Sequence, residues 1–429
     1  MWCALTLAVL LSPPLQNRDH PGQVHVGNGE WVTPAQALEK GFLRYRDQWF
    51  PKSTEKDLKK WEKEDAKEGL DWKHKYSAKS KYYRIETNVP RYRTELEIKP
   101  FLDALFDTYQ RVFAEDFGLS GKAVKNKDIR IYDGFHAYSV NEPDEGKPRP
   151  RTNPGFIVGG SVLVVFYEET DPGEFYSTVF HEGAHQFFLS LLPGASPPKW
   201  LNEALATYFE GCTYSRATNT ITPGFVSTER LTHAQAVLKS GKNLSASELF
   251  LDVPDAQFLG GEYAMAWSFV HYLINRPGAE SRARFARFVQ LTNGAGAKPA
   301  AELFLEATGE DMNALIPGWR DHVLALKMPD TTVHWAVLSV TKAAPEEDLH
   351  TKDFLWSFDG VDIFSAKQFN ELWKSRATDR PLEVVVVRSE PGPDKDSPSS
   401  EFVHVTLQPT SAIVLRAQAE LERKGGLLD

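Results

Sequence analysis

Cysteine is nearly absent from this 429-residue chain, with Cys3 and Cys212 the only two. So low a number excludes a disulfide framework and every metal site built from clustered thiolates, so any metal must be held by histidine and carboxylate. Long apolar runs are lacking as well. The stretch Trp2 to Leu11, with Pro13 and Pro14 behind it, is too short to span a bilayer, and no other window reaches ~18 apolar residues, so no transmembrane span is expected in the mature chain. That stretch fits either a signal-peptide h-region, with secretion or periplasmic export, or a short apolar tail on a cytoplasmic protein. A positive excess is the third absence. Lys plus Arg number 49 against 58 for Asp plus Glu, a net charge of −9, so no global field recruits nucleic acid or an anionic membrane. What is present is the composition of a folded protein: 41% hydrophobic, with 11 Trp, 14 Tyr and 26 Phe. The length allows two to four domains at one per ~100–200 residues.

The hydrophobic pattern divides the chain. Residues 1–22 are the apolar tail or signal segment, and 23–81 form a strongly charged region. Within that region Lys52 to Lys81 reads as a solvated helix carrying i,i+4 ion pairs around Trp61 and Trp72. Tyr82–Thr87 and Asp128–Tyr132 read as strands, with a helix between them whose stripe is Phe101, Leu105, Tyr109, Val112 and Phe113. Val140 to Pro154 reads as a loop, and 156–167 as a hairpin or adjacent strands with Gly159-Gly160 as turn or bulge. From Phe175 to about Lys327 the period is helical, over Phe175–Leu192, Trp200–Phe209, Thr232–Leu238, Gly261–Asn275, Ser281–Thr292 and Leu315–Leu326. Strands first and helices later argue an α+β class, with a mixed N-terminal sheet and a mostly helical C-terminal subdomain over 82–327. A small β-rich domain over 330–410 and a charged helix over 411–429 complete the expected order.

The decisive residues are His181-Glu182-Gly183-Ala184-His185, an H-E-x-x-H inside an apolar-periodic segment. On a helix, residues i and i+4 share a face, so both imidazoles can reach one ion while the i+1 carboxylate projects beside it. Packing alone can also bury two histidines on a helix. Eighteen residues after His185 stands Glu203, within Trp200-Leu201-Asn202-Glu203-Ala204-Leu205-Ala206-Thr207-Tyr208-Phe209-Glu210, a second helical segment that the intervening loop can turn antiparallel to the first. Two His and one Glu leave a fourth position for water, the pattern of a catalytic rather than a structural zinc site. Glu210 and Thr207 share the face of Glu203; either could orient a ligand imidazole, but a solvated Glu and a packing Thr are the readings preferred here.

HEGAHQFF together with WLNEALATYFE resembles the gluzincin metallopeptidases, whose motif is H-E-x-x-H followed by N-E-x-x-A; the resemblance covers about Tyr82 to Leu326. It implies one zinc ion per chain held by His181, His185 and Glu203, with Glu182 as the base that activates water, and a peptide or protein as substrate. It also implies that Tyr263, opening the segment Gly261–Leu273, donates to the oxyanion; the competing reading of Tyr263 is a buried aromatic. His271 on that segment reads as a core residue, or one that orients a ligand from behind, rather than a ligand, since the ligand set is already full. The stretch Gly159 to Glu169 falls where these enzymes present an edge strand to extended substrate. The Gly-x-Met-Glu-Asn signature of the aminopeptidase branch, whose glutamate grips a free amine, is missing, which argues against a strict aminopeptidase and favours an endopeptidase or a narrow specificity of another kind. The segment Lys352–Ile363, a helix over Ala366–Arg376 and Leu382–Arg388 are similar to the second half of a PDZ domain, a module that takes peptide ends. Two rivals stand beside the peptidase reading. One is a catalytically idle, zinc-stabilised scaffold acting through the PDZ-like module, and the other a zinc hydrolase of a non-peptide amide or ester.

Overall fold

The structure is a computed structural model. It describes residues 23–26, 30–46, 48–119, 123, 125–144, 146–151, 153–169, 172–191, 197–215, 219–222, 226–240, 260–278, 280–292, 298–327, 333–342, 350, 353–358, 361–362, 369, 372–374, 381–390, 399–407 and 414–423. The apolar segment Trp2 to Leu11 lies outside them. The chain falls into two compact units, one of residues 69–167 with 174–330, the other of 1–68, 168–173 and 331–429. The class is α+β, and no helix among the described residues is long and apolar enough to cross a membrane.

The unit 69–330 is built on five strands: β1 (Tyr76–Lys79), β2 (Tyr83–Thr87), β3 (Lys127–Asp133), β4 (Gly155–Val158) and β5 (Val162–Tyr167), in the order β1-β2-β3-β5-β4. The three central strands run parallel, and β1 and β4 are antiparallel edges. This order corrects the expectation for Gly159 to Glu169: β5 is interior, and the edge is the four residues before the turn. The reason is visible in the pattern, because the continuous run Val-Leu-Val-Val-Phe-Tyr belongs to a strand covered on both faces. Leu163, Val165 and Tyr167 join the main core, while Val164 and Phe166 pack on the other face with Tyr132 and Tyr138. Gly159 and Gly160 form the turn, both with positive φ (56° and 68°), a conformation open to glycine at little steric cost.

Helices follow as α1 (Lys99–Arg111), α2 (Phe135–Asn141), α3 (Pro172–Leu191), α4 (Lys199–Glu210), α5 (Thr228–Lys239), α6 (Gly260–Asn275), α7 (Ser281–Thr292), α8 (Ala300–Thr308) and α9 (Ile316–Ala325). Phe101, Leu105 and Tyr109 of α1 meet Phe180 and Phe187 of α3 and Phe209 of α4 in one aromatic core. The start of α3 is tied down by Glu97. Its Oε1 accepts from Tyr176 (2.6 Å) and Tyr167 (3.1 Å), and its Oε2 from Arg93 (3.1 Å).

Three expectations are corrected here. The charged helix spans Glu55–Glu68 only, ending where Gly69 takes φ 81°. Residues 69–81 belong to the sheet unit rather than to the charged region, because β1 pairs residue for residue with β2. The C-terminal segment is not a helix but a strand, Val414–Arg423, paired antiparallel with Val333–Lys342. Its good helix formers conceal an apolar–polar alternation in the sequence, Leu415, Ala417, Ala419 and Leu421 against Arg416, Gln418, Glu420 and Glu422. That C-terminal sheet comprises β6 (Val333–Lys342), β7 (Phe354–Phe358), β8 (Val361–Asp362), β9 (Leu382–Glu390), β10 (Ser399–Leu407) and β11 (Val414–Arg423), in the order β10-β9-β7-β6-β11 with β8 on β7. Every pairing in it is antiparallel. Leu355, Phe358, Leu382, Val384, Val386, Val405 and Leu407 form its own core. Most of the helix expected over Ala366–Arg376 lies outside the described residues; Phe369 and residues 372–374 are helical.

Lys127, at the start of β3, is only 5% exposed. Its Nζ donates to Gln186 O (3.2 Å) and Ser190 Oγ (2.7 Å), and burial pulls its pKa from 10.5 down to about 8. Below pH 8 both folded and unfolded chains are protonated and the penalty, roughly 3 kcal/mol, is fully present. Between pH 8 and 10.5 the unfolded chain binds more protons, so stability rises. Lys127→Met, which cannot titrate, is expected to raise the denaturation midpoint at pH 7 and to lose that advantage by pH 10. Equal differences at the two pH values would refute the assignment.

Candidate metal centre

Helix α3 carries His181 and His185 on one face, and α4 brings Glu203 against them. The three donor atoms form a nearly regular triangle: His181 Nε2 to His185 Nε2 is 3.2 Å, His181 Nε2 to Glu203 Oε2 3.4 Å, and His185 Nε2 to Glu203 Oε2 3.3 Å. Around a tetrahedral ion with bonds of about 2.0–2.1 Å, ligand atoms stand about 3.3 Å apart. The triangle is therefore the size of one face of such a coordination shell, and the residues fit a metal ion. Among the described residues this is the one cluster of histidine, cysteine and carboxylate able to hold one.

The electrostatics agree. Burial would push Glu203 up, but the two imidazoles outweigh it and hold the carboxyl well below the usual range. Burial likewise lowers His181, and the carboxylates of Glu203 and Glu210 overcome it, raising the imidazole to about 10. The site thus favours an added positive charge. Glu182 is raised above the ordinary carboxylate value, by burial first, with the imidazoles opposing and Glu203 and Glu210 reinforcing the shift. A carboxylate moved in that direction is a better proton acceptor near neutral pH.

Tyr263, on the first turn of α6, comes into the same place. Its ring centroid lies 6.2 Å from that of His181, and its hydroxyl is raised by burial and then by Glu203. His271, two turns on, stands 3.0 Å from His322 and is not one of the three residues of the triangle. Glu210 corrects the preferred reading of a solvated side chain. Its Oε1 lies 2.8 Å from His181 Nδ1, and its side chain is only 15% exposed. With Glu210 on Nδ1, His181 keeps Nε2 for the centre of the triangle. The spacing of seven residues from Glu203 was the available signal, and a two-turn repeat brings the two carboxylates to one face. Thr207 between them is fully buried, in keeping with packing. Arg230 of α5 escaped the sequence reading altogether. It forks onto Glu210, Nε to Oε2 at 3.0 Å and Nη2 to Oε1 at 3.1 Å.

The stretch 175–296, which includes His181, His185, Glu203 and Tyr263, matches a protein family described as of unknown function, DUF1570. No curated protein matches the chain.

Gly183 explains how closely α3 sits on α1. Tyr109 Oη donates to the carbonyls of Phe180 (2.7 Å) and Val179 (3.1 Å), and a Cβ at Gly183 would stand 2.9 Å from that oxygen. Gly183→Ala should therefore destabilise the fold by about 1–3 kcal/mol through overpacking. Tyr109→Phe, which removes the clashing oxygen, should recover part of that loss when combined with it. Denaturant titrations of the two single variants and the double variant check this coupling, and strict additivity would contradict it.

Proposed function

We propose that this chain is a zinc-dependent peptide hydrolase of the gluzincin type, with a zincin-like unit over 69–330. The observation that carries the reading is the His181–His185–Glu203 triangle with Glu182 on the same helix turn. Those three residues would hold the ion, which when bound supplies Lewis-acid polarisation of a carbonyl and acidifies water. Glu182 accepts the proton of the attacking water and returns it to the leaving amine. Tyr263 donates a hydrogen bond where negative charge develops on the oxygen. The edge strand Gly155–Val158 offers backbone groups to an extended substrate. Neither that strand nor the turn after it carries an acidic residue to grip a free amine, which supports an endopeptidase. We also read the C-terminal sheet as a PDZ-like module for peptide ends, on the order β7, helix, β9 and the packing of Phe369 and Trp373 on Phe358. Titration of the intact chain with labelled C-terminal peptides tests that part, and no saturable binding would remove it.

Purified protein is expected to contain one zinc per chain, and a chelator should abolish hydrolysis of a peptide library until zinc is restored. Glu182→Gln should keep the metal and lose about 100- to 10,000-fold in kcat/KM. Tyr263→Phe should lower kcat by about 100- to 1,000-fold with the metal retained. Peptide hydrolysis that survives both the chelator and Glu182→Gln would sink the reading.

A further inference from the structure

We propose that Arg230 is a positioning residue of this centre, a single guanidinium that sets both the orientation of the His181 imidazole and the seat of the Tyr263 ring. The proposal rests on the metal-centre reading above and goes beyond the ligand set and base.

The geometry carries it. Arg230 stands on the first turn of α5, where its backbone N–H donates to Ser227 Oγ, so the cap fixes where the side chain starts (3.4 Å). Its fork engages both oxygens of Glu210, leaving that carboxylate no freedom to rotate. One of those oxygens, Oε1, is the atom beside His181 Nδ1 at 2.8 Å. The chain Arg230–Glu210–His181 thus ends on the ring whose other nitrogen points into the ligand triangle. The same guanidinium carbon lies 5.6 Å from the centroid of Tyr263, within cation–π range. The two helices approach closely at this level, since a Cβ on Gly261 of α6 would stand 2.8 Å from His233 Nε2 of α5. Arg230 and Glu210 are both largely enclosed, at 18% and 15% side-chain exposure, so solvent does little to screen them. A lysine could restore the charge but not the fork.

Two readouts separate this from a salt bridge that only stabilises. Zinc affinity, measured by chelator competition, should fall about 10-fold in Arg230→Gln, with Arg230→Lys between it and the parent. Arg230→Gln added to Glu210→Gln should weaken zinc no further, because the arginine acts on the metal through that carboxylate. With a cleaved peptide, Arg230→Gln should lower kcat while KM stays near the parent value. Thermal melts accompany each variant, and Arg230→Lys, which keeps volume and charge, carries the test if Arg230→Gln does not fold. Unchanged zinc affinity in a folded Arg230 variant, or additive losses in the double variant, overturns the proposal and leaves the metal centre standing. A parent chain that binds no zinc overturns both.

Discussion

Three carboxylates, Glu182, Glu203 and Glu210, converge on two imidazoles in a largely water-excluded place, and such a gathering is stable only when positive charge joins it. Desolvating like charges together is among the more expensive things a fold can do. Two features of the chain answer the problem. Arg230 neutralises Glu210 from outside the triangle. Inside it, the raised His181 and the lowered Glu203 show a centre that favours positive charge. A proton held there and a divalent ion held there are alternatives, and the spacing of 3.2–3.4 Å suits the ion, since it matches a tetrahedral face on all three sides.

How much of this was legible in the sequence depends on how local each relation is. His181 and His185 stand one helical turn apart and Glu182 follows the first, so helix geometry alone predicts a shared histidine face with the carboxylate beside it. Glu203 needed one further step, the antiparallel return of α4. Glu210 falls on the right face in the sequence, but a glutamate at a helix end is usually solvated, so its contact with His181 is not legible there. Nothing in the sequence showed Arg230 to be its partner, since α5 reaches Glu210 only through tertiary packing. The same distinction explains the errors of fold. In Val414–Arg423 the apolar–polar alternation is present in the sequence, but Ala, Leu, Glu, Gln and Arg are strong helix formers, so propensity and period point to different elements. For β5 the continuous apolar run marks an interior strand, whereas the edge expectation rests only on the position of Gly159 to Glu169 just before α3.

The metal centre proposed above would tolerate errors of only a few tenths of an ångström, so the helix that carries His181 and His185 would have to be held rigidly. Helix α3 is pinned at three levels. At its start Tyr176 is bonded to Glu97, itself buried against Arg93. In the middle, Tyr109 ties the carbonyls of Val179 and Phe180 to α1, and Gly183 lets the helix come close enough for that bond to form. At its far end Gln186 donates to Asp128 O and Ser161 O, binding the helix to β3 and to the turn before β5. Lys127 completes that end. Burial disfavours its charge, yet it lies at the C-terminal turn of α3, where helix carbonyls welcome a cation. The lysine is therefore a local loss of stability that secures the last turn of the helix carrying His181 and His185. A fold that accepts such a loss beside its most demanding geometry behaves as functional sites generally do, giving up stability where precision of placement matters.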